Sequence, residues 1–140
     1  MKNSILIFTT LFSFICGTQQ LQAQDFNTTK NNYLILSKNI QQLKPVLLTA
    51  QSLATEDGIN YGDFYVIICG KTVKDIPNNT EFKILLEEAK FLNIKVFVCG
   101  ISLKKFNITP KQLPDSIVVT ENGILYGFQL TKNGFLTLTI

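Results

Sequence analysis

The sequence predicts a three-layer α/β domain, a parallel sheet packed between helices, and three observations predict it. Two apolar runs, over residues 64–70 and 94–98, show no polar alternation, as strands covered on both faces should not. Around them lie segments whose apolar residues recur every three or four positions, the pattern of helices with one buried face. The resulting order of strand, helix, strand, helix, strand is the grammar of right-handed βαβ units.

The first 23 residues read as a targeting segment. Met1-Lys2-Asn3 is a short basic start, residues 4–15 are an apolar run, and residues 19–23 turn polar and end in the small Ala23. This is the layout of a secretory signal peptide cleaved after Ala23. A transmembrane anchor needs roughly 20 apolar residues, and this run is shorter, so no membrane span is expected after cleavage. Cys16 offers a minor alternative, a lipoprotein signal. The bulky Ile15 precedes it, where such processing normally needs a small residue. The chain thus divides into a signal peptide over 1–23 and one α/β domain over 24–140, exported to a periplasm or secreted.

Composition narrows the chemistry. The 140 residues suffice for one domain, and 46% hydrophobic with 16% charged is a globular balance. The net charge of +3 falls by one when Lys2 leaves with the signal. Arg is absent and the Lys residues are scattered, so no basic patch invites nucleic acid. His is absent as well, which excludes Ser-His-Asp and Cys-His catalysis and any His-ligated metal. The two mature cysteines, Cys69 and Cys99, are too few for a Cys-rich zinc site. No metal or other cofactor is expected. Thiols, carboxylates, lysines and hydroxyls remain.

In chain order, residues 24–32 are a polar lead-in, and Tyr33-Leu34-Ile35-Leu36 suits a buried strand. Ile40, Leu43, Leu47, Ala50 and Ala54 then mark a helical face. Pro45 would break a helix interior, so the reading is a turn over 39–43 and a helix with Pro45 in its first turn. Gly58 is its natural stop. After the strand at 64–70, residues 71–79 read as a polar connection. Thr80 is expected to cap a helix whose apolar face is Phe82, Leu85, Leu86 and Ala89, with Asn93 ending it. Glu81, Lys83, Glu87, Glu88 and Lys90 decorate its solvated face.

The strand at 94–98 leads to Cys99-Gly100 and a short amphipathic segment over 102–106. Thr109-Pro110-Lys111-Gln112 has the cap, the Pro and the Gln of a helix start, and Ile117-Val118-Val119 is a further strand. Beyond Glu121 the local signals conflict. Asn122-Gly123 and Asn133-Gly134 are hairpin signals, yet Ile124, Leu125 and Phe128 share a helical face. The residues leave 123–132 as helix or hairpin. The tail, 135–140, alternates like a strand with one face less buried.

Two consecutive strands end in Cys-Gly, at Cys69-Gly70 and Cys99-Gly100. In open α/β sheets the functional crevice lies outside the carboxyl ends of the strands, so both thiols are candidates. Cys99 precedes a helix start with Lys104 and Lys105 nearby. A helix N-terminus and neighbouring cations can lower a thiol pKa from ~8.5 to within ~3.5–7.5. Gly100 would let backbone amides approach the sulfur. The plain alternative is that both cysteines are small buried hydrophobes. A Cys69–Cys99 disulfide is a third possibility, requiring Cα atoms within ~4.4–6.8 Å and sulfurs on one side of the sheet.

From Tyr33 onwards the chain resembles the DsrE family of sulfur-relay proteins. The resemblance is carried chiefly by Cys99-Gly100-Ile101-Ser102-Leu103-Lys104-Lys105-Phe106-Asn107-Ile108: a cysteine after a strand, a small residue and Leu, then basic residues and an aliphatic. Gln129-Leu130 and Gly134-Phe135 match the family's tail. The resemblance implies a five-stranded, mainly parallel sheet between helices, and it favours helix over 123–132. It implies that Cys99 takes up sulfur as a persulfide and passes it on, with Gly100, Lys104 and Lys105 stabilising the anion. Cys69 lies outside that pattern, as a second thiol. The implied partners are a sulfur donor and acceptor, small molecule or protein, and further copies of the chain in a trimer or hexamer. A module that keeps the fold without the chemistry is the alternative. Relatives of this type are usually cytoplasmic, whereas this chain starts with an export signal.

Overall fold

The computed structural model describes residues 30–140. The signal peptide, its cleavage after Ala23 and the Cys16 alternative lie outside the described residues. Five strands form one sheet: β1 (Asn31–Ser37), β2 (Tyr61–Ile68), β3 (Lys95–Cys99), β4 (Ile117–Thr120) and β5 (Phe135–Thr139). Their spatial order is β4-β3-β2-β1-β5, and every pairing is parallel. The four helices are α1 (Leu43–Asp57), α2 (Thr80–Phe91), α3 (Gly100–Lys105) and α4 (Gly123–Lys132). The predicted three-layer α/β class, with a five-stranded sheet, is the observed one.

Strand alternation divides the core in two. Val66 and Ile68 of β2 and Val96 and Val98 of β3 pack with Leu47, Phe82, Leu86 and Leu103 from α1, α2 and α3. The alternate residues, Tyr65, Ile67 and Cys69 with Phe97 and Cys99, face the other side, where Leu130 of α4 joins them. Period two therefore puts both cysteines on one face of the sheet, under α4.

Local chemistry explains the element ends. Pro45 falls in the first turn of α1, after a 3-10 turn at Ile40–Gln42 that Asn39 caps through its side chain. Gly58 stops α1 at a φ of 55°, where a side chain would be strained. The cap of α2 is Asn79 rather than Thr80. Its extended backbone lets its side-chain oxygen accept from the Phe82 N–H at 2.9 Å, which moves Thr80 to the first helical position. The 71–79 connection is not merely polar either. It contains a 3-10 turn, Lys71–Asp75, and completely buries Val73 and Ile76 in the larger core. Gln112 reaches back to the Thr109 N–H at 2.8 Å, as the capping sequence predicts.

Residues 123–132 are helix, as the resemblance implies. Asn122 opens α4 by accepting from the N–H groups of Ile124 and Leu125, and Asn133-Gly134 ends it instead of turning a hairpin. Because β4 and β5 are opposite edges, α4 must cross the sheet. It does so through Gly123, Gly127 and Leu130, which are buried, while Ile124, Leu125 and Phe128 face outward. A methyl group at Gly127 would meet Leu36 Cδ1 at 3.1 Å, so the glycines let the helix lie close to the strands.

Candidate functional site: a thiol pair beneath a helix N-terminus

The two Cys-Gly ends lie side by side. Ile68 pairs with Val98 in the β2–β3 register, so Cys69 and Cys99 are the next step along adjacent strands. Cys69 continues the sheet: its N–H donates to Ser37 O at 2.9 Å. Gly70, at a φ of 80°, then turns the chain away from the sheet, and its N–H donates to Ser102 Oγ at 2.8 Å. Cys99 is the residue before the first turn of α3. Ser102, in that turn, is itself buried and stands between the two strand ends.

α4 closes the arrangement from above. The Gly123 N–H donates to Cys99 Sγ at 3.3 Å. A methyl group at Gly123 would come within 2.8 Å of Cys69 Sγ and 2.9 Å of Cys99 Cβ. Glycine is therefore required where the helix start meets both thiols. Gly100 has a related task. Its missing side chain leaves room for Thr120 O and Glu121 O, which a methyl group would meet at 3.0 and 3.1 Å. It lets the β4–α4 connection close in, and Ile101 N–H secures that connection by donating to Glu121 O at 3.2 Å. Gly100 thus acts by admitting the segment that delivers the Gly123 amide.

The environments separate the two thiols electrically. Burial pushes Cys99 up, but the Gly123 N–H, the Ser102 N–H and hydroxyl, and the Ile101 N–H outweigh it and hold the thiol below its ordinary value. Of these, the Gly123 amide makes the well-formed hydrogen bond. Burial, and then the neighbouring Cys99 thiol, push Cys69 the other way, to about 12; Lys38 opposes this. Cys99 is thus the readier of the two thiols to ionise, and Cys69 is the one that keeps its proton. Both are free, and both are largely covered, Cys99 at 4% and Cys69 at 8% exposure.

Lys104 and Lys105 are exposed in the last turn of α3, at the end away from Cys99. Lys105 lies over the Phe106 ring, 5.9 Å from its centroid. Lys104 lines a shallow cleft of ≈ 410 Å³ with Ile101, Glu121, Asn122, Leu125 and Tyr126, beside the thiol pair. Neither cysteine lines this cleft, and neither lines a second one, of ≈ 380 Å³, between Asn39, Lys44 and Phe82. Ser102 and Gly123 are the site residues that motif reading missed. Ser102 stands three residues after Cys99 inside the quoted motif, a signal available in principle. Gly123 is far away in sequence, and Asn122-Gly123 is locally as good a hairpin signal as a helix start. Among the described residues, no group of three or more Cys, Asp or Glu side chains could hold a metal, and no helix is long and apolar enough to cross a membrane.

The fold and the site define a three-layer α/β protein with a thiol pair at the carboxyl end of its sheet. No protein-family model matches the chain, and no curated protein does. Among solved structures it is similar to MTH1491 of Methanobacterium thermoautotrophicum, a protein of unknown function. That match has a TM-score of 0.67 at 10% identity and covers 79% of this chain and 99% of the other. It is also similar to BT1422 of Bacteroides thetaiotaomicron, a conserved protein of unknown function. There the TM-score is 0.59 at 20% identity, covering 78% of this chain and 95% of the other. At these identities the likeness is one of fold.

Proposed function

We propose that this protein is an exported DsrE-like sulfur carrier, a sulfurtransferase that holds sulfane sulfur as a persulfide on Cys99. The observation that carries the reading is the hydrogen bond from the Gly123 N–H to Cys99 Sγ at the start of α4. Backbone donors aimed at a sulfur favour its thiolate, which is the nucleophilic form. The Cys99 thiolate attacks a terminal sulfur of a polysulfide. A bond forms between the two sulfurs, the polysulfide's own S–S bond breaks, and the shortened polysulfide leaves with the electron pair. The persulfide anion then occupies the place of the thiolate, among the same donors. The cleft with Lys104 beside the pair is the approach for an anionic donor, and Lys105 adds to the positive charge at that end of α3. The acceptor is a thiol, of a small molecule or of a protein.

The test is intact-mass measurement of the mature protein after treatment with inorganic polysulfide, with peptide mapping. One added sulfur atom on Cys99, lost in Cys99→Ser, is the expected result. Absence of any adduct on Cys99 rejects the reading. The near-complete burial of Cys99 favours a second reading, a binding or assembly module that keeps the fold without the chemistry. That reading predicts a thiol that resists alkylation in the native state, and a Cys99→Ser variant with unchanged assembly.

A further inference from the structure

We propose that Cys69 is the resolving thiol of this site: it attacks the Cys99 persulfide, forms a Cys69–Cys99 disulfide and releases the carried sulfur as sulfide. The inference rests on Cys99 acting as the sulfur acceptor and adds what happens to the sulfur next. Four observations support it. The register places the residues side by side on adjacent strands, whose ~4.8 Å spacing falls within the Cα separation a disulfide needs. Both side chains belong to the same face, with Ile67 and Phe97 preceding them in the alternation. Cys69 Sγ and Cys99 Cβ press on the same point, Gly123, from neighbouring strands. Ser102, whose Oγ holds the Gly70 N–H, ties the two strand ends together and limits their drift apart.

The chemistry balances without a further oxidant. The Cys69 sulfur attacks the inner sulfur of the Cys99 persulfide, and a Cys69–Cys99 bond forms as the bond to the outer sulfur breaks. The outer sulfur leaves with that electron pair and takes up the Cys69 proton. Two thiol sulfurs are oxidised to a disulfide, and one sulfane sulfur is reduced to sulfide. Cys69 Sγ and Cys99 Cβ both lie against Gly123, so the attacking sulfur and the proton it gives up are already beside the sulfur to be attacked. An external dithiol of the reductant class then restores both thiols by exchange and leaves as its own disulfide. A stable relay intermediate would be better served by an apolar residue at position 69. A thiol there limits the lifetime of the persulfide.

The experiment treats the reduced mature protein with a stoichiometric amount of inorganic polysulfide, removes excess reagent, and follows mass, non-reducing peptide maps and released sulfide over time. In the wild type the added sulfur should disappear as a Cys69–Cys99 disulfide appears, with one sulfide released per chain. In Cys69→Ala the adduct on Cys99 should persist at least tenfold longer, with no sulfide released until a thiol is added. A wild-type adduct as long-lived as that of the variant, with no Cys69–Cys99 cross-link, overturns the inference and leaves sulfur uptake by Cys99 standing. Failure of both proteins to take up sulfur rejects the uptake itself. If Cys69→Ala does not fold, the peptide map and sulfide count of the wild type decide alone.

Discussion

Ser102 carries more of this site than its size suggests. Its hydroxyl accepts from the part-buried Gly70 N–H and helps to hold the Cys99 thiol below its ordinary pKa. Ser102→Ala therefore has two separable effects. It removes the partner of a part-buried amide, at a cost of about 0.5–1.5 kcal/mol, readable as a lower urea midpoint. It also raises the Cys99 pKa towards the ordinary thiol value, so alkylation of Cys99 at neutral pH should slow several-fold. A purely structural serine would change the midpoint and leave the pH profile of alkylation where it was. The sign of the linked stability follows from the direction of the shift. Because the folded pKa of Cys99 is depressed, its contribution is fully present above the unfolded value and is lost as pH falls through the folded one. Cys69, raised to about 12, works in the opposite sense: its contribution is complete below the ordinary thiol range and is lost as pH rises towards 12. Alkylation between these limits should label Cys99 well before Cys69. Preferential labelling of Cys69 would contradict the assignment of roles.

The geometry that sets those two values depends on how α4 enters. Replacing an exposed helical Gly by Ala ordinarily stabilises by about 0.5–1 kcal/mol. At Gly123 the added methyl would stand 2.8–2.9 Å from Cys69 Sγ, Cys99 Cβ and Ile67 Cγ2, so the sign should reverse. Gly123→Ala is expected to cost about 1–3 kcal/mol, as overpacking does. It should also slow Cys99 alkylation, because the first turn of α4 must lift and take its N–H with it. Gly134→Ala is a poor comparison, since its φ of 88° brings strain of its own; an exposed α4 position away from the cleft, such as Lys132→Ala, is the proper control and should change neither quantity. This entry also explains what could be read in advance. The strand runs at 64–70 and 94–98 were legible because period-two burial on both faces leaves continuous apolar sequence, and Pro45 and Gly58 marked the ends of α1 by backbone chemistry alone. Cys99 was legible as a strand end. What remained hidden depends on contacts distant in the chain. Asn122-Gly123 has the same local chemistry in a hairpin as in a capped helix start, and only the need to cross from β4 to β5 selects the helix. The pairing of Cys69 with Cys99 required the strand order, which the sequence leaves open. Thr80 and Asn79 both carry a capping side chain, and backbone angles decide between them in favour of Asn79.

At larger scale, the layer formed by α4 is thin. A ten-residue helix crosses a five-stranded sheet and meets it through glycines, so its larger side chains are directed outward. Ile124, Leu125 and Phe128 are 60%, 54% and 65% exposed, and Lys132 is the helix's one charged residue. Leu125 shares the cleft beside the thiol pair with Ile101, which is itself 52% exposed. A cluster of large apolar side chains without charge, beside that cleft, is the kind of face that marks an interaction site. The occupant proposed for it is a second copy of the chain. The small net charge, +3 for the whole sequence and one less without Lys2, leaves little repulsion between copies, and the same apolar face on each partner suits a symmetric contact. Such a contact would also cover the mouth of the cleft, keep water from the persulfide and make sulfur uptake dependent on assembly. The mature wild-type protein should therefore sediment as an oligomer, whereas Phe128→Glu combined with Ile124→Lys should sediment as a folded monomer. These positions face away from the core, so the unfolding midpoint of the double variant should fall only by what assembly contributes at that protein concentration. Sedimentation velocity over a hundredfold concentration range decides the matter: a wild-type protein that stays monomeric throughout removes self-association, and an oligomer untouched by the double variant moves the contact to another face.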